Sequence, residues 1–519
     1  MAFSGNDKHT SLLGAGAATA LATLISRVVG LARDASLAAM YPKEITDIFW
    51  AAFRVPNTFR NLFGEGASSV AFIPTFTRVR KERGEEQARA LLNAVLRAVA
   101  LATGAVTLAG VLLAPWIVRA LLDFPPQLDS ESLHQDAVHL VRWMFPYLIL
   151  ACLAAVIGGA LNATGRFFAP AMTSTYFNLS IVLFSFLAVT TTAVHPAWLA
   201  VGVLVGGALQ VATQLPSLWR AGFPLGRLRG WWTTPGLGDV FTLFFPATLS
   251  LGVKQINTLV NTNLASALGT GPISYLFYAD RVAELPLGIF GFAIATAAFP
   301  RFSQEALEKA EEAIRKPLIQ SLKGILLVMV PSTVGLWILG GPILDTLFNR
   351  GRFAAQGGLE PTLLALRVFV LGLVPFASVK LIGNLSYSLG NGRAPVVAGL
   401  ASAGVNLVLA YSLRYTALGH AGLALAVVCA SVVNMGGLLV CLRTRVRPAW
   451  FLDLVPLALR ALAASAGMGV TLLAWIHWSH ALPSWSVAAL GTVLGGTVYC
   501  ALGALLFREQ LARVIRRRG

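Results

Sequence analysis

Of the 519 residues, 56% are hydrophobic and only 12% are charged, a balance that excludes a soluble globular enzyme, a disordered chain and a fibrous protein. With about 20 apolar residues needed per spanning helix, the chain holds material for on the order of fourteen helices and no sizeable soluble domain. A net charge of +17 would suggest a nucleic-acid partner in a soluble chain. In a membrane chain Lys and Arg collect on cytoplasmic loops instead, and no nucleic acid is expected.

In chain order, apolar stretches predict six spans over 12–40, 46–77, 91–121, 137–163, 168–192 and 196–219. A polar stretch with Arg220, Arg227 and Arg229 follows, then six more spans over 238–269, 273–303, 317–341, 361–389, 394–413 and 419–442. Two last spans, 454–478 and 484–507, precede a basic tail with Arg513, Arg516, Arg517 and Arg518. The expected fold is therefore an all-α integral membrane protein of fourteen transmembrane helices. The first span is long and contains arginines, unlike the short apolar core of a signal peptide, so the N-terminus is expected to be retained. Cys152, Cys429, Cys441 and Cys500 lie in or beside apolar runs with no spacing of a disulfide frame or metal site; they read as small hydrophobes.

The loops test this numbering, because Lys and Arg should alternate between crowded and sparse. Crowded loops are Arg78 to Arg89, Arg166, Arg220 to Arg229, Lys309 to Lys316, Arg393, Arg443 to Arg447 and the C-terminus. Between them lie the acidic loop with Asp123, Asp129, Glu131 and Asp136, the uncharged Thr190 to Pro196, Gly269 to Pro272, and His477 to Pro483. Both termini are thus expected in the cytoplasm. The loop with Asp345, Arg350 and Arg352 is a mild exception, since it should be external.

An internal repeat runs through the chain. Arg54-Val55, Phe63-Gly64 and Ala71-Phe72 recur as Arg281-Val282, Phe290-Gly291 and Ala298-Phe299, each displaced by 227 residues, and Gly165-Arg166 recurs at the same displacement as Gly392-Arg393. Spans 1 to 6 and 7 to 12 therefore read as two six-helix lobes, residues 1–229 and 230–447, with residues 448–519 supplying two further spans and the tail. Two six-helix halves point to a transporter.

Ionisable groups inside spanning helices cost about 2.5 to 3.5 kcal/mol each near the bilayer centre, so they face a cavity or a partner. Here they cluster in the first two spans of each half. Arg27, Arg33 and Asp34 lie in span 1; Asp47, Arg54, Arg60 and Glu65 in span 2; Lys254 in span 7; Asp280, Arg281 and Glu284 in span 8. Some will be structural pairs: Asp47 and Arg54 share a helical face, and Arg281 and Glu284 are three apart. Arginine dominates the cations, and its planar fork suits bidentate binding of phosphate, so the ligand is expected to be anionic. Pro56, Gly64 and Gly66 in span 2, and Pro286, Gly288 and Gly291 in span 8, predict bends that act as hinges.

No G-x-x-x-x-G-K-[ST] loop is present, so the chain does not hydrolyse ATP through one, and no catalytic constellation marks an enzyme. His477 and His480 beside Trp475 and Trp478 read as an interfacial belt, and no metal or other cofactor is expected. The Asn-x-Ser/Thr triplets at Asn162 and Asn178 fall in or beside spans and carry no weight.

The run Ser26-Arg27-Val28-Val29-Gly30-Leu31-Ala32-Arg33-Asp34, then Thr46-Asp47, Arg54-Val55-Pro56-Asn57, Arg60, Phe63-Gly64-Glu65-Gly66-Ala67 and Ala71-Phe72-Ile73-Pro74, resembles the start of the MurJ (MviN) lipid II flippase family. Tyr278-Ala279-Asp280-Arg281, with Glu284, Pro286, Gly288 and Gly291, is similar to that family too, and the likeness extends over the whole chain. It implies a member of the multidrug/oligosaccharidyl-lipid/polysaccharide exporter superfamily in the bacterial cytoplasmic membrane. The implied activity is moving lipid II, an undecaprenyl-pyrophosphate-linked disaccharide-pentapeptide, outward by alternating access. It also implies that Arg27, Arg33, Arg60 and Arg281 bind substrate, that Asp34 and Asp47 orient arginines or take part in the switch, and that spans 13 and 14 hold the lipid tail.

Besides lipid II and membrane lipids, enzymes of peptidoglycan synthesis are the natural partners. Some family members bind sodium through carboxylates where this chain has Asn261 and Asn391; amides can coordinate sodium but add no negative charge, so no sodium site is predicted. Sodium or proton coupling and membrane potential stay open as the driving force. Two other readings remain open: an exporter of a different polyprenyl-pyrophosphate-linked oligosaccharide, and a membrane-embedded glycosyltransferase or polymerase, for which the external loops offer only Asp345, Glu360 and the Asp123 to Asp136 group.

Overall fold

A computed structural model describes residues 5–506 other than 127, 129, 191–195, 227–230, 309, 310, 444–451 and 453. Side chains of residues 5–18, 20, 65–70, 245–251, 253, 254, 306–308 and 311–313 are also outside the description. Among the described residues the chain is helical, with no strand. That follows from the solvent: in hydrocarbon a backbone has no water to bond, and a helix satisfies its N–H and C=O groups within itself.

The chain packs as two compact units, Met1–Thr270 and Gly271–Gly519. The first contains α1 (Gly5–Met40), α2 (Lys43–Arg60), a π-helical stretch Asn61–Phe72, α3 (Ile73–Leu112), α4 (Ala114–Leu121), α5 (Ser130–Met144), α6 (Tyr147–Ala163), α7 (Phe168–Thr190), α8 (Ala197–Ala212), α9 (Leu215–Arg220) and α10 (Leu237–Ser266). The second contains α11 (Pro272–Pro286), a π-helical turn Leu287–Gly291, α12 (Phe292–Glu308), α13 (Glu311–Phe348), α14 (Gly351–Ala355), α15 (Leu359–Val370), α16 (Leu373–Ser388), α17 (Arg393–Leu413), α18 (His420–Leu442), α19 (Val455–Trp478) and α20 (Ser484–Leu506).

Among the described residues ten helices are long and apolar enough to cross a membrane, or eleven if α15 and α16, bent by 47° at their break, count as one span. With α1, the continuous α2–π segment and α10, which are also of spanning length, the arrangement is compatible with the fourteen spans expected. Two boundaries differ in kind from the expectation. The stretch Arg78–Arg89 is helical on both sides of Gly84, whose φ of 85° breaks the helix inside α3, a conformation glycine adopts without strain. The fourth span is two helices, α5 and α6, meeting at Phe145-Pro146, where proline cannot continue the hydrogen-bond ladder.

The repeat is visible in the packing. In the first unit α3 packs on α6, α7 on α8, α6 on α8 and α2 on α5; in the second, α12 packs on α16, α17 on α18, α16 on α18 and α11 on α15. Each unit also has a π-helical stretch at the matching place after a proline, Pro56 or Pro286. Span 7, which opens the second half of the repeat, lies as α10 in the first unit, against the π-helical stretch and α2, α3 and α4. The appended α19 and α20 pack on α13, where Leu339, Met468 and Leu472 are buried and the Tyr499 hydroxyl donates to the Leu327 carbonyl at 2.7 Å.

In the first unit the core gathers aromatic rings, with Phe72 and Phe76 5.2 Å apart and Phe76 and Phe223 5.4 Å apart. Close approach of α3 to the α5–α6 break depends on Gly110, where a Cβ would lie 2.1 Å from the ring of Phe145, a side chain with no exposure. Gly110→Ala should therefore cost about 1–3 kcal/mol through overpacking, whereas Gly104→Ala, which would meet nothing within 4 Å, should be neutral or stabilising by up to about 1 kcal/mol. Thermal unfolding of the purified protein in detergent, with Tm lowered only by the first substitution, checks this.

Candidate functional site

Helix α1 lies along α7, and their polar residues meet inside that contact. Arg33 is 5% exposed and Asp34 fully buried. The Arg33 guanidinium donates to Asp34 Oδ1 from Nε at 2.9 Å and from Nη2 at 2.6 Å. Its remaining nitrogen, Nη1, donates to Asn178 Oδ1 on α7 at 3.0 Å, and the group lies 5.3 Å from the centre of the buried Trp50 ring on α2. A cation this deep in apolar surroundings is tolerable only with such partners. In this arrangement Arg33 is an internally held ion: to meet an anionic ligand its fork would have to exchange Asp34 for it. Arg27, by contrast, is exposed on α1.

Helix α2 carries the next set. Asp47 is fully buried; Arg54 is half-buried and donates to the hydroxyl of Thr262 on α10. One turn on, Thr58 donates to Gln255 of α10 at 3.4 Å, and the rings of Phe63 and Phe244 lie 5.6 Å apart. At one end of α10 Arg78 pairs with Asp239; at the other the Ser266 hydroxyl accepts from the Asp123 N–H at 2.8 Å and Asn263 donates to the Ala120 carbonyl at 3.2 Å. Polar contacts thus fasten α10 at Asp239 and again from Gln255 to Ser266. Arg60, half-buried, is braced by two amides of its own helix, donating from Nε to Asn57 at 2.8 Å and from Nη2 to Asn61 at 2.6 Å.

Arg60 stands where the helix changes to π-helical winding, a form that widens the turn and often marks functional places. Gly64 lets that turn approach α6, since a Cβ there would meet Ala155 at 3.4 Å. The side chains of Glu65 and Lys254, and what surrounds Gly66, lie outside the described residues. In the second unit Asp280 is exposed. Arg281 donates from Nη1 to Glu284 at 3.4 Å and sits 5.3 Å from the Phe277 ring centre, confirming the pair expected from the three-residue spacing. The Leu287–Gly291 turn follows Pro286 and includes Gly288. Gly291 faces Ala377 of α16, with a Cβ distance of 3.1 Å, the counterpart of Gly64 facing α6.

Asn391, one of the two amides singled out in the sequence, accepts from the Ala394 N–H in the first turn of α17 at 3.3 Å. Among the described residues no group of three or more His, Cys, Asp or Glu side chains gathers as a metal site. The sequence reading passed over Asn178. The signal that could have found it is its chemistry: a primary amide inside an otherwise apolar span needs a partner.

Ten or eleven membrane-length helices among the described residues, built on an internal repeat with arginines and carboxylates inside them, define a multi-pass membrane protein of the transporter class. A profile described as "Lipid II flippase MurJ" matches residues 38–493. A probable lipid II flippase MurJ of Bdellovibrio bacteriovorus is 34% identical over 95% of this chain and 94% of its own, and the lipid II flippase MurJ of Burkholderia cenocepacia is 31% identical over 88% of each. The chain belongs to the MurJ lipid II flippase family and is a multi-pass protein of the inner membrane. Among solved structures, a lipid II flippase MurJ in an inward closed conformation superposes with a TM-score of 0.78 at 24% identity, covering 95% of this chain and 99% of that one. An inward-facing multidrug resistance MATE family transporter of the MOP superfamily reaches 0.66 at 16% identity, over 81% and 94% of the two chains. These likenesses show the shared fold.

Removing the Arg33 cation should be costly for folding. Arg33→Ala leaves the buried Asp34 without its guanidinium and is expected to cost about 3–5 kcal/mol, the range for breaking a buried pair from one side. Arg33→Ala with Asp34→Ala should cost less than Arg33→Ala alone. Melting temperatures of the two purified variants in detergent decide this, and a double variant as unstable as the single would count against the pairing as the cause.

Proposed function

We propose that this protein moves lipid II from the cytoplasmic to the external face of the inner membrane by alternating access. The observation that carries this reading is the family match across residues 38–493, together with the presence of Arg27, Arg33, Arg60 and Arg281 at the motif positions. The physical task is to carry a diphosphate and its sugars past hydrocarbon, and charge-assisted hydrogen bonds from arginine forks replace the water the phosphates lose.

Arg27, Arg60 and Arg281 bind the diphosphate directly. Arg33 joins by exchanging its bond to Asp34 for one to phosphate, so its contribution comes with a competition that keeps binding reversible. Asp34, Asp47, Glu65, Asp280 and Glu284 hold or release these cations as access alternates, and Arg54 takes part in the cavity or the switch. The widened turns beside Pro56, Gly64 and Gly66, and beside Pro286, Gly288 and Gly291, are the hinges. No bond is made or broken, so no catalytic residue or cofactor takes part. Both termini lie in the cytoplasm, and the peptidoglycan-synthesis enzymes that make and consume lipid II are the partners.

The test is complementation in bacteria depleted of their own lipid II flippase. The parent chain should restore growth, while Arg27→Ala, Arg60→Ala, Arg281→Ala and Arg33→Lys should fail or fall at least tenfold in plating efficiency at matched membrane levels. The lysine variant keeps the charge beside Asp34 and loses only the fork. A parent that inserts normally yet does not restore growth would move the substrate to another polyprenyl-pyrophosphate-linked oligosaccharide. A reporter fused to the C-terminus, fluorescent only in the cytoplasm, should light up; an external signal would overturn the orientation.

A further inference from the structure

Asn178 is 7% exposed on α7 and belongs to neither the motifs nor the charged set. Its Oδ1 accepts from Arg33 Nη1 at 3.0 Å, while its Nδ2 points back at the Ser26 carbonyl of α1, 3.5 Å away. A guanidinium on one side and a carbonyl on the other fix which way the amide faces, since only its oxygen can accept and only its nitrogen can donate. Gly30 makes the room, because a Cβ there would lie 3.3 Å from Asn178 Nδ2. The neighbouring Phe177 is wedged against Tyr147 and Phe53, with ring centres 5.0 and 6.0 Å away, so α7 offers the amide from a packed, fixed place.

We propose that Asn178 is a positioning residue for the diphosphate ligand: a neutral tether that keeps the Arg33 fork oriented while it exchanges Asp34 for phosphate. The reasoning turns on charge. Two of the three guanidinium nitrogens already hold a carboxylate oxygen, and a second acid at position 178 would bind the third too strongly for phosphate to compete. An apolar side chain would leave Nη1 without this acceptor and the fork free to turn. An amide orients the third nitrogen and gives up little when phosphate arrives. This inference rests on the reading of Arg33 as a ligand of the substrate diphosphate.

The experiment measures binding of fluorescent lipid II to the purified full-length protein in detergent, for the parent, Asn178→Ala, Arg33→Lys and the double variant. Asn178→Ala should weaken binding about tenfold, the worth of one hydrogen bond to a charged group. It should weaken it no further in the Arg33→Lys background, where the fork it orients is gone. Unchanged affinity in Asn178→Ala, or an equal drop in both backgrounds, overturns the proposal. Parental binding by Arg33→Lys overturns instead the reading of the fork as a ligand. Should Asn178→Ala fold poorly, Asn178→Asp keeps the shape and the acceptor oxygen. It gives up the Nδ2 donor to Ser26 but holds Arg33 more strongly, so at matched folded fraction it should bind at least tenfold more weakly, and parental or tighter binding by that variant also overturns the proposal.

Discussion

A charge in hydrocarbon must bring its solvation with it, and the ion held between Asp34 and Asn178 shows how the chain meets that demand. The Arg33 guanidinium has an anion, an amide and an aromatic face around it, and those three partners come from two helices other than its own as well as from the next residue along. For that to happen α1, α2 and α7 must lie side by side at one depth. The demand for partners therefore acts as a register constraint: the helices can slide along each other only by stripping a cation. Apolar packing in lipid supplies no comparable specificity, because hydrocarbon side chains are as content against lipid tails as against each other.

Much of this architecture was legible in the amino-acid order. The all-helical membrane fold and the placement of its spans followed from apolar runs, since the bilayer sets helix length. The displacement of 227 residues between Arg54-Val55 and Arg281-Val282 foretold two related halves, though not that the expected bends would take the form of π-helical turns. The Arg281–Glu284 pair followed from helical spacing. What stayed hidden was set by tertiary contact. Nothing in the order of residues says that Arg33 spends its donors on its neighbour Asp34, because the same dipeptide on an exposed helix would point both groups at water. Nor does it say that Thr262 will receive Arg54, since residues more than 200 apart meet only once α10 has packed along α2. Asn178 was disguised as a glycosylation triplet, and only its place opposite Arg33 reveals its use.

The helix α10 illustrates how repeat symmetry and packing can part company. By sequence it opens the second half, yet in space it is laced to the first unit from Asp239 to Ser266. The partly buried contacts of Thr262 and Ser266 would each leave an unsatisfied group if broken, whereas Arg78 and Asp239 are half exposed and contribute little.

The widened turns of the two halves carry a consequence for the faces of the helices beyond them. A π-helical turn takes more residues per revolution than an α-turn, so every side chain after it is rotated about the axis relative to an uninterrupted α-helix. Beyond Asn61–Phe72 and beyond Leu287–Gly291 a wheel drawn at 3.6 residues per turn through the whole segment would therefore set the following residues on the wrong face, and the two sides of each widened turn have to be read as separate faces.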